Sequence, residues 1–250
     1  MRPGLILGLA LLAAVFAAQK VRAEDAPASC DVPSSLLESE SSLPRVAEAV
    51  KAGRPLNILV VGSRSSTVGS DAANAYPAHM EAALKDKLPQ LAASVSVEIQ
   101  ASKTAEEVAG GLVKLMEGKR PTLVIWQTGT VDAMRSIDPD DFRTAVDEGV
   151  VAMQKAEADV VLINPQYSPR TETMISVPPY LDNMRAVAQQ RDVPLFDRFA
   201  IMHQWNEQGD FDLFSAHHGP ELAKRVHDCL GKALAAFIVN TAHVGSAQQN

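Results

Sequence analysis

"LNILVVGSRSSTVG", residues 56–69, is the stretch that decides the fold. Its first half is a mostly apolar run without polar alternation, which is typical of a strand that is buried on both faces. A cluster of small hydroxyl residues follows the run directly: Ser63, Ser65, Ser66 and Thr67. One interpretation is a polar turn between a strand and a helix. The other is a serine nucleophile at the carboxyl end of a strand.

Strand and helix patterns alternate along the rest of the chain. Strands are predicted at residues 56–62, 94–100, 122–129, 159–165 and 193–197. Helices are predicted at residues 43–53, 76–88, 104–118, 140–156, 177–191 and 219–240. This order predicts an α/β fold in which helices cover both faces of a parallel sheet. Ligands of such sheets bind at the carboxyl ends of the strands, so the loops there are the candidate functional segments.

Length and charge limit the classes of function. The chain has 250 residues, of which 46% are hydrophobic, and these values suit one globular domain. The formal net charge is −7 and no basic stripe is present, which argues against a nucleic-acid partner. We expect a signal peptide at 1–23, an extension with a short helix at 24–55, the main domain at 56–240 and a tail at 241–250.

The first residues have the pattern of a secretory signal. Arg2 precedes an apolar run over residues 5–18, and small residues stand before a cleavage position near Ala23. The run is short for a membrane span, and no other stretch is long and apolar enough to cross a bilayer. We therefore predict a periplasmic or secreted protein without stable membrane insertion after signal removal. The alternative is a retained amphipathic anchor.

Cysteine occurs only at Cys30 and Cys229. In an oxidising compartment these two residues are expected to form one disulfide that closes a very long loop. The alternative is a buried free thiol at Cys229 and an unpaired Cys30.

Several segments resemble, in order, the sequence blocks of the SGNH/GDSL hydrolases. They are "SRSSTVG" at 63–69, "TLVIWQTGTVDA" at 122–133, "ADVVLINPQYSP" at 158–169 and "VPLFDRFAIMHQW" at 193–205. The resemblance implies a flavodoxin-like three-layer α/β/α sandwich with a five-stranded parallel sheet. It also implies an ester hydrolase without a cofactor and makes Ser65 the nucleophile.

A serine nucleophile of this kind needs a histidine base that an aspartate orients. The family carries both in a D-x-x-H motif before the last helix, and this chain lacks that motif. The loop "GDFDLFSAHHG" at 209–219 offers Asp212, which we expect to orient His217 or His218 toward Ser65. The alternative is that the paired histidines lie in a solvated loop or cap the closing helix. A metal site built from the same three residues has weak support, because adjacent histidines point apart.

The resemblance also implies an oxyanion hole, and here the chain departs from the family. The glycine of the second block falls on Ala101 or Ser102, and the asparagine of the third block is Val131, which cannot donate a hydrogen bond. Loss of one oxyanion donor typically lowers the rate about 10²–10³-fold. We expect backbone N–H groups near Ser65 and Ser102 to form the hole. The predicted pocket also includes Gly129 and Arg64.

Two functions remain open from the sequence. The first is a secreted or periplasmic serine ester hydrolase that acts on a small-molecule ester or an acylated carbohydrate. The second is a catalytically impaired homologue that binds an acyl or carbohydrate ligand or a cell-envelope partner. The serine cluster lacks the lysine of a P-loop, so no nucleotide site is predicted. His227 is predicted to be a residue at the edge of the core, and Asp132 to cap a turn.

Overall fold

A computed structural model describes residues 30–214 and 219–244. The sheet has five strands in the order β2-β1-β3-β4-β5, and all neighbouring strands are parallel. The strands are β1 Leu56–Gly62, β2 Ala93–Ile99, β3 Leu123–Gln127, β4 Asp159–Ile163 and β5 Leu195–Phe196. This architecture confirms the predicted α/β sandwich with a five-stranded parallel sheet.

Helices cover both faces of the sheet. They are α1 Pro44–Lys51, α2 Tyr76–Lys87, α3 Ala105–Lys119, α4 Thr130–Met134, α5 Pro139–Lys155, α6 Pro169–Glu172, α7 Pro178–Arg191, α8 Arg198–Gln208 and α9 Gly219–Thr241. The predicted fifth strand was too long, because the Asp197 side chain accepts a hydrogen bond from Ala200 N and thereby caps α8. The sequence analysis did not predict α4, α6 or α8.

The strand residues alternate between two cores. In β1, Ile58 and Val60 pack in one cluster with α1, α2, α8 and α9, whereas Leu59 and Val61 pack in the other with α3, α5 and α7. Because successive strand side chains point to opposite faces, an unbroken apolar run is needed where both faces are covered. The sequence of the edge strand β2 predicts alternating burial, but Val97 and Ile99 are exposed, because this strand lies at the edge of the sheet and is only partly covered.

The segment before β1 packs into the first of these cores. Leu43 and Val46 are fully buried there, and Asp31 O accepts a hydrogen bond from Trp205 Nε1 at 2.8 Å. Cys30 and Cys229 form a disulfide that joins this segment to α9. Within the described part of the chain, no helix is both long and apolar enough for a membrane span.

Helices α2 and α9 approach each other closely at Gly231. A Cβ atom there would lie 2.5 Å from His79 Cβ and 2.7 Å from both Met80 N and Tyr76 O. The backbone of α2 cannot move aside cheaply. We therefore expect Gly231→Ala to lower the free energy of unfolding, measured in urea, by about 1–3 kcal/mol.

Gly110→Ala in α3 is the matched control for this prediction, because a Cβ at Gly110 meets nothing within 4 Å. Alanine there should raise the free energy of unfolding by about 0.5–1 kcal/mol, as expected for a glycine inside a helix. Equal effects of the two substitutions would contradict the close approach of α2 and α9.

Candidate active site

The serine turn leaves β1 and folds back over its end. Ser63 Oγ accepts a hydrogen bond from Ser65 N at 3.4 Å and so caps the single 3₁₀ turn Arg64–Ser66. Gly62 makes the fold-back possible, because a Cβ there would lie 2.2 Å from Ser66 Oγ. Ser66 is buried beneath the turn, whereas Ser65 is half-exposed. The turn therefore presents Ser65 at the carboxyl edge of the sheet.

Gln127, the last residue of β3, holds this turn through its side-chain amide. Its Nε2 donates to Ser65 Oγ at 2.7 Å and to Ser63 Oγ at 2.9 Å. Its Oε1 accepts from Ser66 Oγ at 2.8 Å. Because β1 and β3 are neighbouring strands, one amide connects three hydroxyl groups of the turn.

Arg198, the first residue of α8, reaches the same hydroxyl from the other side. Its Nη2 donates to Ser65 Oγ at 3.2 Å, and its Nη1 donates to Ser65 O at 3.2 Å and to Gln127 Oε1 at 2.9 Å. The sequence analysis did not select Gln127 or Arg198 as site residues. Arg198 directly follows the predicted strand 193–197, and Gln127 lies near the end of the predicted strand 122–129, so a position near the carboxyl edge of the sheet was the signal available.

The contacts determine what the Ser65 hydroxyl can do. Gln127 Nε2 and the Arg198 guanidinium are donors only, so Ser65 Oγ accepts from both. A hydroxyl has two lone pairs and one hydrogen, and these two contacts occupy the lone pairs. The hydrogen remains to be donated, and Ser63 Oγ at 3.1 Å does not accept it, because that oxygen already accepts from Gln127 Nε2 and Ser65 N. Removal of that proton would create the free electron pair that a nucleophile needs.

Of the predicted oxyanion residues, Ser65 lies on the turn after β1 and Ser102 on the turn after β2, whereas Val131, which stands in place of the family's asparagine, lies in α4. Ser102 adopts a left-handed backbone with φ 61°, a conformation that glycine favours, at a position where the resemblance implies glycine. Its carbonyl oxygen accepts from Arg135 Nη2 at 2.8 Å. Val131 lines a small cavity together with Ser63 and Gln127 and brings no polar side chain to it.

Gly129 has a structural reason to be glycine. Its φ is 94°, and a Cβ would lie 3.1 Å from the Pro165 ring and 3.3 Å from Phe142. It lines the same small cavity as Ser63. Arg64 is exposed, and its carbonyl oxygen accepts from the Thr67 hydroxyl.

Of the predicted catalytic base and the aspartate that orients it, the structure describes only the aspartate, Asp212. Asp212 is exposed, and its Oδ1 accepts from Phe214 N at 3.1 Å. His217 and His218 lie outside the described residues, as does the predicted signal segment. Which histidine acts on Ser65 therefore stays a prediction. Among the described residues, the cluster with suitable metal-ligand types is Cys30, Asp228 and Cys229, but its two sulfurs are joined in the disulfide.

The sequence profile of the Non-GDSL lipase-like family matches residues 29–244. The chain belongs to this family. The match includes every described strand and helix, and it confirms the expected relation to SGNH/GDSL-type hydrolases. Membership in the Non-GDSL lipase-like family supports a lipase- or esterase-like hydrolase. No curated protein matches the chain significantly.

Solved structures of esterases share the fold of this Non-GDSL lipase-like chain. TesA is 21% identical with a TM-score of 0.56, and the similarity covers 71% of this chain and 97% of TesA. Esterase EstA from Pseudoalteromonas sp., inhibited by monoethylphosphonate, is 18% identical with a TM-score of 0.54 and coverages of 71% and 95%. The acetylxylan esterase Axe2 from Geobacillus stearothermophilus is 15% identical with a TM-score of 0.59 and coverages of 72% and 93%.

His227 lies at the edge of the core, as the sequence predicts, whereas Asp132 contacts the start of a distant helix instead of capping the turn that follows β3. Asp132 is buried, and its Oδ1 accepts from Ala105 N at the start of α3. Burial raises the pKa of this carboxyl. His227 is nearly buried in α9, and its Nδ1 accepts from Tyr76 N at 3.0 Å. That contact secures the start of α2, whose first N–H groups have no partner within the helix.

The pKa of His227 is lowered to about 4, first by burial and then by the charges of Arg198 and His79. The folded protein therefore keeps this imidazole neutral at pH values where the unfolded chain, with the ordinary value of 6.5, takes up a proton. We expect this group to lower the free energy of unfolding by about 3 kcal/mol as the pH falls from 6.5 to 4.

Urea unfolding at several pH values tests this expectation. His227→Gln should show a shallower loss of stability over the same interval, because glutamine does not titrate. His243→Gln is the control for a histidine-to-glutamine substitution, since His243 is exposed and lies after α9. A parallel decline in wild type and His227→Gln would contradict the assignment.

Proposed function

We propose that the protein is a serine ester hydrolase in which Ser65 is the nucleophile. The observation that carries the proposal is the set of contacts at Ser65 Oγ, which accepts from Gln127 Nε2 and Arg198 Nη2. These donors orient the hydroxyl and favour negative charge on its oxygen. The half-exposed position of Ser65 at the carboxyl edge of the sheet also supports access by a substrate.

In the proposed reaction, His217 or His218 takes the Ser65 proton, and Asp212 orients that histidine. The Ser65 oxygen forms a bond to the carbonyl carbon of the ester, and the carbonyl π electrons move to its oxygen. Backbone N–H groups near Ser65 and Ser102 stabilise this oxyanion. The intermediate expels the alcohol, which takes the proton from the histidine. Water then cleaves the acyl-enzyme, which releases the acid and restores Ser65.

The proposed substrate is a small-molecule ester or an acylated carbohydrate. Support comes from the family membership and from solved esterases of the same fold, one of which is a two-domain esterase active on acetylated mannans. We also propose that the protein works in the periplasm or outside the cell. The apolar N-terminal run and the disulfide between Cys30 and Cys229 support this location.

A second candidate is a binding protein that retains the pocket without turnover. The observation that favours it is Val131, which stands where the SGNH/GDSL resemblance implies an asparagine donor to the oxyanion. Such a protein would hold an acyl or carbohydrate ligand near Ser65 and release it unchanged.

Labelling with a fluorophosphonate separates the two candidates. The probe forms a bond between Ser65 Oγ and phosphorus, fluoride leaves, and the serine proton passes to the base. We expect one adduct on the peptide that contains Ser65 and none in Ser65→Ala. Ser70→Ala, an exposed serine at the end of the same turn, should label like wild type. Absence of labelling in folded wild-type protein would overturn the hydrolase and favour the binding protein.

A further inference from the structure

Arg198 is a fully buried cation at the start of α8. Its side chain is 1% exposed, and the hydrogen bonds of its Nη atoms go to the Ser65 hydroxyl, the Ser65 carbonyl and the Gln127 amide oxygen. Its Nε is buried and has no hydrogen-bond partner among the described residues. All its acceptors are therefore neutral groups, and two of the three belong to Ser65.

No carboxylate compensates this charge within residues 30–214 and 219–244. The adjacent Asp197 binds Arg185 at 3.0 Å and also accepts from Asn164 and from Ala200 N. Burial lowers the pKa of Arg198 to about 10, so the guanidinium keeps its charge at neutral pH. A buried charge that lacks a counter-charge is costly to folding. The presence of this buried charge beside the Ser65 hydroxyl suggests that Arg198 takes part in the reaction.

The Gln127 amide directs that charge toward one atom. Arg198 Nη1 can only donate, so the amide must place its oxygen toward Arg198 and its nitrogen toward the serine turn. Gln127 Nε2 and Arg198 Nη2 consequently approach Ser65 Oγ together. Two donors that converge on one oxygen, one of them charged, form a site that is suited to an anionic oxygen.

We propose that Arg198 is a catalytic residue that stabilises the negative charge on Ser65 Oγ as the serine proton leaves. This proposal rests on the proposed function, because it assumes that Ser65 attacks the substrate. The hydroxyl loses its proton to the base, and the new electron pair bonds to the carbonyl carbon. The two lone pairs of Ser65 Oγ that accept from Arg198 and Gln127 stay hydrogen-bonded. The oxygen can therefore react without breaking either contact.

The surrounding groups do not replace this cation. Tyr76 donates its hydroxyl to Ser66 Oγ at 3.4 Å, and burial raises its pKa, so it stays neutral. His227 is neutral because Arg198 and burial lower its pKa. Lys103 lines the small cavity that Ser63 and Gln127 also line, but no hydrogen bond joins it to Ser65 in the described structure. Among residues 30–214 and 219–244, Arg198 is thus the charged donor at this oxygen.

Two substitutions in the full-length protein test the proposal. Arg198→Met removes the charge and keeps a side chain of similar length. Arg198→Lys keeps the charge but replaces the two Nη groups of the guanidinium with a single amine. We expect fluorophosphonate labelling at pH 7 to slow about 10- to 100-fold in Arg198→Met, as for loss of a hydrogen bond to a charged group. Arg198→Lys should recover most of that loss. Arg143→Met, an exposed surface residue, is the control and should label at the wild-type rate.

Thermal unfolding separates a catalytic role from a structural one. Removal of a buried uncompensated charge should leave the Tm of Arg198→Met within about 4 °C of wild type. Wild-type labelling speed in Arg198→Met would overturn the role of Arg198 and leave the hydrolase intact. If Arg198→Met is destabilised and is also labelled slowly, the labelling rate of Arg198→Lys decides between the two roles. Labelling of Arg198→Lys that is as slow as that of Arg198→Met would also overturn the proposed role of Arg198. Unlabelled wild type would instead contradict the proposed function.

Discussion

Ser65→Ala is expected to lower the rate of ester hydrolysis by about 10³-fold or more. The substitution removes the atom that forms the acyl bond. Ser66 cannot replace it, because the Ser66 hydroxyl is buried and donates to Gln127 Oε1. Ser63 Oγ accepts from both Gln127 Nε2 and Ser65 N and has no contact with the Arg198 guanidinium. Hydrolysis should therefore depend on one hydroxyl of the cluster.

Initial rates with short p-nitrophenyl esters measure this effect. Ser70→Ala is the matched control, since it removes an exposed hydroxyl from the same segment and should keep the wild-type rate. Urea unfolding of both variants shows whether the turn still folds. If Ser65→Ala retained wild-type hydrolysis, Ser65 would not be the nucleophile, and hydrolysis would have to occur elsewhere in the protein.

Loss of the disulfide should lower the free energy of unfolding by about 2–4 kcal/mol. Cys30 and Cys229 are separated by 199 positions, so the bond restricts almost the whole unfolded chain. It also secures the segment that carries Leu43 and Val46 into the core. The expected cost is large compared with the stability of a typical domain.

The double variant Cys30→Ser/Cys229→Ser, compared with wild type in urea, gives this value. Wild-type protein treated with dithiothreitol is the matching measurement without substitution. A thiol assay in denaturant should find no free thiol before reduction and two afterwards. Free thiols in the untreated protein, or equal stability of the two forms, would contradict a stabilising disulfide.

The fold could be predicted from the sequence because the patterns that indicate strands and helices are local. The apolar run before Gly62 and the helical patterns that follow each strand depend on neighbours a few residues apart. The exception is the fifth strand, which ends at Phe196 because the carboxylate of Asp197 caps α8, a helix that the hydrophobic pattern did not indicate. A cap that depends on one side chain is hard to distinguish from the end of a strand.

The site was only partly readable, because its contacts join distant parts of the chain. The serine turn was visible as a motif, but Arg198 lies 133 positions from Ser65 and Gln127 lies 62 positions away. No short spacing shows that these two side chains meet one hydroxyl. The left-handed backbone of Ser102 was also not evident, since serine rarely adopts it.

The division of the core between the two faces of the sheet has a consequence for the order in which the chain is made. The residues that pack on the face that α3, α5 and α7 cover have all been synthesised by residue 195. The opposite face depends on α9, whose Leu234, Phe237 and Ile238 are fully buried against it. A nascent chain that ends before residue 219 has only α1, α2 and α8 to cover that face. We therefore expect the native packing of that face to be completed only after α9 has left the ribosome.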